Sequence, residues 1–306
     1  MNLDGDWPLP RPNTRFKVVD RQLTGASLFK TSSIAATFSS LATPLVDEAV
    51  SRVKALSTQS DAEGYHQLRV AFRKLRALYW AYAPYLGDEV ATQATEEFRR
   101  LAAAAGGTRD WDIAGDLLRA AQESDASIAP LVAAVEGKRA AAVVDSQTVI
   151  QSADVETFLT EVSLRAQATL QSSCSDLPIR AFARERVRLA QRALRKRSRR
   201  AARSEATHEE ALHDVRKAGK KLRYLLEFFQ PVLKNGHERA IKDLTTVQNK
   251  LGTFNDIAAS ETLIRNASFN DVPAGVVHES LKWLEQQKHR RMLAASRQVR
   301  AMAGAD

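Results

Sequence analysis

One fifteen-residue pattern occurs twice. YHQLRVAFRKLRALY at 65–79 and LHDVRKAGKKLRYLL at 212–226 align His66 with His213, Arg69 with Arg216, Arg73 with Lys220, Lys74 with Lys221, Leu75 with Leu222 and Arg76 with Arg223. Farther along, GGTRDWDI and GTFNDIAA align Gly106 with Gly252 and Asp110 with Asp256, with one residue of drift. So little drift over so long a separation marks an internal duplication, and a duplicated chain folds as two copies of one unit.

That unit is helical. Ala, Leu, Arg, Glu and Gln dominate, prolines are few and stand mostly between periodic segments, and alternating Val/Ile/Thr runs are missing. Helical patterns run over about 31–57, 62–84, 87–105, 108–124, 128–150 and 154–170. Breaks are expected at APYLGDE, at AAGGT and at SIAP. After SSCSDLP the succession begins again, with helices expected near 178–203, 207–229, 236–251, 254–268 and 274–302. Short connections between long helices imply antiparallel bundles. The reading is therefore all-α, with two tandem, internally duplicated bundles of four-helix type. Its boundaries are a tail over 1–30, a first repeat over 31–171 and a second over 172–306.

The repeated helix is amphipathic in an unusual way. At 100° per residue His66, Arg69, Arg73 and Arg76 share an arc of about 80°, while Leu68, Phe72, Leu75 and Tyr79 lie opposite. The second copy sets His213, Arg216, Lys220 and Arg223 against Val215, Leu222 and Leu226. Cations at i, i+3 and i+4 repel by a few tenths of a kcal/mol per pair, and solvated helices offset this with acids at the same spacings. Here the first acid on either stripe is Glu227. An anion along the stripe would remove the repulsion and gain charge-assisted hydrogen bonds, for which the guanidinium fork suits phosphate oxygens. His66 and His213 can add a donor from the first turn. Lys74 and Lys221 lie off the arc and are expected at its rim. Gly219 opposite Phe72 either weakens the second copy or permits close packing.

Charge supports this placement. The chain of 306 residues carries a net +9, yet Arg180 to Arg223 alone holds sixteen Lys and Arg against five acids, so the remainder is slightly acidic. Within that segment Arg188, Arg192, Arg195 and Arg199 share one helical face. If that helix packs beside the one holding Arg216, Arg195 and Arg199 border the same groove; otherwise they snorkel over the surface. Asp110 and Asp256 are read as structural, near a helix N-terminus or orienting an arginine. Cys174 is the only cysteine, which excludes an intrachain disulfide and fits a reducing compartment. The N-terminal segment has no apolar signal core and no run of 18 apolar residues occurs, so a cytoplasmic protein is expected.

HQLRVAFRKLR and HDVRKAGKKLRY, each followed by its GGTRDWD or LGTFND turn, resemble the CHAD domain, the conserved histidine α-helical domain, over roughly residues 33–300. The resemblance implies two related four-helix bundles whose basic surfaces face each other across a central groove or pore. It also implies binding of inorganic polyphosphate and, for some members, association with polyphosphate granules. On this basis His66, Arg69, Arg73, Arg76, His213, Arg216, Lys220 and Arg223 are the expected ligand-lining positions, with Lys74, Lys221, Arg195 and Arg199 beside them. Lys220 keeps the charge of Arg73 but loses its fork.

Two rivals stand. Catalysis would need more than His213-Asp214, which spells the dipeptide of metal-dependent phosphohydrolases. Asp214 aligns with Gln67, the chain has only six histidines, and the acidic ExExK strand motif of the triphosphatase domains that accompany some CHAD proteins does not occur before residue 31. No catalytic residue, metal or cofactor is assigned. Non-specific nucleic-acid binding is the alternative function, though Trp80 and Tyr224 are the only aromatic residues near the cations that offer base stacking.

Overall fold

The computed structural model describes residues 33–58, 62–203, 208–233 and 237–304. The tail expected over 1–30 lies outside them. Among the described residues the chain forms nine α-helices: α1 (Ile34–Thr58), α2 (Ala62–Leu86), α3 (Asp88–Gln122), α4 (Ala129–Ser152), α5 (Val155–Cys174), α6 (Ile179–Arg203), α7 (His208–Phe229), α8 (His237–Asn266) and α9 (Ala274–Gly304). A 3-10 turn, Ala126–Ile128, precedes α4. The fold is all-α, as the composition requires.

Two expected breaks are not breaks. α3 runs straight through Gly106 and Gly107, and α8 through Gly252, so four expected helices become two long ones. Each glycine costs a helix about 1 kcal/mol, but tertiary contacts outweigh it. The Thr108 hydroxyl donates to the Ala142 carbonyl at 3.2 Å and lies 3.0 Å from the Ser146 hydroxyl, tying α3 to α4 where the break was expected. Asp110 and Asp256 therefore sit in mid-helix, not at an N-terminus.

Local signals set the other ends. The Ala36 amide donates to the Ser33 hydroxyl at 3.2 Å, capping α1. Asp154, at φ 39°, accepts from the Thr157 amide at 3.5 Å to start α5. Pro130 occupies the first turn of α4, where its missing N–H leaves no bond unmade.

Within the first half α2 packs on α1 and α3, α3 on α4, and α5 on α1. In the second half α6 packs on α7 and α9, and α8 on α7 and α9. The halves join through α3 against α8, α2 against α7 and α1 against α6. The Ile34 amide donates to the Leu177 carbonyl at 2.9 Å, pinning the start of α1 to the start of α6.

The main core is continuous across residue 171. Phe38, Tyr79, Tyr82 and Phe98 from the first half meet Phe182 and Phe229 from the second: Tyr82 and Phe182 have ring centroids 4.8 Å apart, Phe182 and Phe229 5.9 Å. Burying one such ring contributes roughly 1.5–3 kcal/mol. A smaller cluster of Leu117, Leu118, Leu131, Val135, Ile257, Ile264 and Leu284 closes the far ends of α3, α4, α8 and α9. With the apolar faces of α2 and α7 turned into this core, their cationic faces turn toward one another and toward α3 and α8.

Candidate anion site

Between α2, α3, α7 and α8 lies a cavity of about 110 Å³, lined by His66, Arg69, Arg73, Arg109, Asp110, Arg216, Lys220, Asn255, Asp256 and Ser260 together with Ile113 and Ala259. At about 30 Å³ per water it holds a few waters or one compact anionic group. Five Lys and Arg face two carboxylates.

The arginines are held from behind. Arg69 Nη1 donates to Asp110 Oδ1 at 2.9 Å, and Arg216 Nη2 stands 3.8 Å from Asp256 Oδ1, the two residues that align with them in sequence. Both aspartates orient an arginine, one of the two roles read for them. Gly106 shows why that helix position carries no side chain: a Cβ there would lie 3.2 Å from Arg69 Cζ and Nη1. Gly219 is different, because its nearest neighbour would be Gln248 Nε2 at 3.7 Å, an ordinary contact. Close packing does not require glycine there.

Arg73 and Lys220 both line the cavity, and among the described residues neither has a carboxylate within 4.0 Å. Burial and the neighbouring Arg73 and Arg216 charges push the Lys220 ammonium down to about 5, so it is neutral at pH 7. Burial, then Arg69, Arg216 and Arg223, also disfavours the charge on Arg73; a guanidinium keeps its proton nonetheless. The Nε atoms of Arg73, Arg109 and Arg216 and the Ser260 hydroxyl are buried without a hydrogen-bond partner among the described residues. Burial, reinforced by Arg109, holds the His66 imidazole at about 4, a neutral donor and acceptor at the cavity wall. Asp256, which lines the cavity, is raised by burial against the pull of Arg216 and Lys220. Cations in excess of acids, with buried donors left over, form a site for an anion.

The remaining expected positions divide. Arg76, Lys74, Lys221 and Arg223 do not line the cavity. Lys221 Nζ lies 4.0 Å and Arg186 Cζ 4.3 Å from the Trp80 ring centre, so that ring carries two cations and Tyr224 is buried. Burial, with Arg76, Arg197 and Arg186, lowers Lys221 to about 8. Arg223 reaches Glu227 at 3.6 Å. His213 is exposed and its Nδ1 donates to Asn255 Oδ1 at 2.5 Å, at the edge of a neighbouring depression that it shares with Glu209 and Glu210. Arg195 and Arg199 do not border the cavity at all. Ala190, Leu194, Ser198 and Ala201 take the buried side of α6, which turns Arg192, Arg195, Arg199 and Arg203 outward. α6 does pack on α7, but through its other face, so its cationic face does not join the groove.

Sequence reading missed Arg109, Asn255 and Ser260. Arg109 had a signal: it stands beside Asp110 in the first repeated turn, and a helix through that turn projects both toward α2. Asn255 and Ser260 carried none.

Fold and site together define an all-helical protein with a buried cationic cavity between two pairs of helices. The sequence matches the model of the CHAD domain over residues 41–265, and the chain belongs to that family. The fold is also that of the crystal structure of the CHAD domain from the plant Ricinus communis, with a TM-score of 0.75 at 21% identity over 89% of this chain and 93% of that one. No curated protein matches the sequence. Among the described residues no helix is long and apolar enough to cross a membrane, and no three His, Cys, Asp or Glu converge as a metal site.

Proposed function

We propose that this protein binds inorganic polyphosphate, without turning it over, through the cavity between α2, α3, α7 and α8. The observation that carries the reading is that Arg73 and Lys220, both half-buried, line one cavity, and among the described residues neither has a carboxylate within 4.0 Å. Such a pair is costly until an anion arrives. A phosphate oxygen supplies the absent acceptor, and Arg69, Arg216 and Arg109 extend the contact to neighbouring phosphates. Family membership makes polyphosphate the first ligand to test.

Nucleic acid is the weaker reading. Bases need open aromatic faces, whereas Trp80 already carries Arg186 and Lys221 and Tyr224 is buried. Binding, in place of chemistry, is supported by the two cavity carboxylates both being engaged by arginines. Residence in the cytoplasm and at polyphosphate granules belongs to the same proposal.

Calorimetric titration with polyphosphate of defined length at two salt concentrations tests it. Saturable binding that weakens steeply with salt is expected, as counterions are released from a linear polyanion. Short polyphosphate should displace bound DNA at equal phosphate concentration; failure to do so would favour the nucleic-acid reading.

A further inference from the structure

Lys220 aligns in sequence with Arg73, and the two line the same cavity. The exchange of guanidinium for amine keeps a basic side chain but adds chemistry, because an amine that gives up its proton is a nucleophile and a guanidinium keeps its proton. Lys220 stands in that cavity with Arg69, Arg73, Arg109 and Arg216. Burial first, then the charges of Arg73 and Arg216, push its ammonium down to about 5, so at pH 7 it presents a lone pair.

The surroundings favour an anion at that nitrogen. With Lys220 neutral, four guanidiniums still face only Asp110 and Asp256, and those carboxylates already stand against Arg69 and Arg216. The Nε atoms of Arg73, Arg109 and Arg216 are buried without a hydrogen-bond partner among the described residues. A carboxylate built on Lys220 Nζ would enter a space of about 110 Å³, against about 30 Å³ for one water. It would offer two acceptor oxygens to the guanidinium donors. The reagent that makes one must be small, must carry no charge to be desolvated, and must leave a carboxylate on nitrogen. Carbon dioxide meets all three conditions. An aldehyde would condense with the amine to an imine, which adds no acceptor oxygen.

We propose that Lys220 is a carbon dioxide acceptor, whose amine adds reversibly to CO2 and forms a carbamate held by the cavity guanidiniums. The Nζ lone pair attacks the carbon and an N–C bond forms. One C=O π pair moves to oxygen and an Nζ proton leaves to solvent, so a neutral amine becomes a monoanion and nothing is oxidised or reduced. Lys221, one residue on, is the contrast. It is lowered only to about 8, chiefly by burial, so it stays mostly ammonium at pH 7, and its Nζ lies 4.0 Å from the centre of the Trp80 ring, whose face favours the cation. The proposal goes beyond the polyphosphate reading and does not depend on it, but the two are linked. A carbamate takes the space and the donors that a phosphate would use, so CO2 and polyphosphate exclude one another, and each lowers the apparent affinity for the other.

For the test, the full chain is equilibrated near neutral pH with isotopically labelled bicarbonate, and the carbamate carbon is read by NMR. Alkylation with a trialkyloxonium salt then fixes the adduct for peptide mass spectrometry. The added mass is expected on Lys220. Lys220→Arg and Lys220→Met should lose the signal and Lys221→Arg should keep it, with circular dichroism matching the wild type. The wild-type mass assignment decides the matter even where a variant does not fold: no adduct on Lys220 at saturating bicarbonate, or one confined to Lys221 or another amine, would overturn the proposal. Short polyphosphate added to the loaded protein should erase the signal. A Lys220 carbamate that survives saturating polyphosphate would support this proposal and overturn the cavity as the polyphosphate site. Polyphosphate bound by a wild type that forms no Lys220 carbamate would do the reverse.

Discussion

Arg69 of α2 donates to Asp110 of α3 at 2.9 Å, so the carboxylate occupies one side of a guanidinium whose other side opens on the cavity. Asp110 is an internal competitor for the anion. Replacing it by Asn removes a negative charge from the wall while keeping an acceptor for the arginine. The pair is partly exposed, which limits the interaction to about 0.2–1 kcal/mol. Asp110→Asn should therefore tighten polyphosphate binding by up to about fivefold in a calorimetric titration. Weaker binding would mean that Asp110 chiefly holds Arg69 in place.

Lys220 gives the site a pH dependence. Its ammonium is depressed to about 5 in the free protein, first by burial and then by Arg73 and Arg216. A bound polyanion favours the protonated form and raises that value. Binding near pH 7 should therefore take up a proton, and affinity should rise as pH falls from about 8 toward 5. Below about 5 Lys220 is charged before the ligand arrives and its contribution levels off. Titrations in two buffers of different ionisation enthalpy measure the uptake; no uptake at pH 7 would contradict the burial of this lysine.

The same residue links binding to stability. In the unfolded chain a lysine titrates near 10.4, whereas in the fold it titrates at about 5. Between those values the unfolded state binds the extra proton, so this group makes the free protein more stable as pH rises through the window. Lys220→Met removes the cost and should raise Tm by at least about 2 °C at pH 7, each kcal/mol being worth roughly 2–4 °C in a chain of this size. It should also weaken polyphosphate binding. A lower Tm would mean that the ammonium has a partner in the fold.

The glycines of the site separate by geometry. Gly219→Ala meets Gln248 only at 3.7 Å and should stabilise α7 by about 0.5–1 kcal/mol through helix propensity, with binding unchanged. Gly106→Ala places a methyl 3.2 Å from the Arg69 guanidinium, a flexible group that moves instead of unfolding the helix. Its expected signature is weaker binding at near-normal thermal stability, read by differential scanning fluorimetry beside calorimetry.

The sequence carried the cationic cluster because its logic is local. The spacing of His66, Arg69 and Arg73, and of Arg216 and Lys220, puts each set on one helical face, and the apolar face opposite leaves only one way for it to point. The long helices were less legible. Gly106 and Gly107 punctuate by propensity, but Thr108 reaching Ala142 across the bundle, and the Arg69 guanidinium lying against Gly106, are tertiary facts that no local rule contains. Arg195 and Arg199 failed for a related reason. The periodicity of α6 groups them correctly, yet which side of α6 meets α7 is decided by Ala190, Leu194 and Ala201 packing into a shared core. Arg109 entered the cavity by the same continuity of α3 that erased the expected break.

Reversal of the central pair is the most direct test. Arg73→Glu/Lys220→Glu is titrated with short polyphosphate at a salt concentration high enough to silence solvated surface charges, beside the wild type and with helicity followed by circular dichroism. The account predicts saturable binding by the wild type and none by the variant, both remaining folded. Wild-type affinity in the folded variant would contradict it.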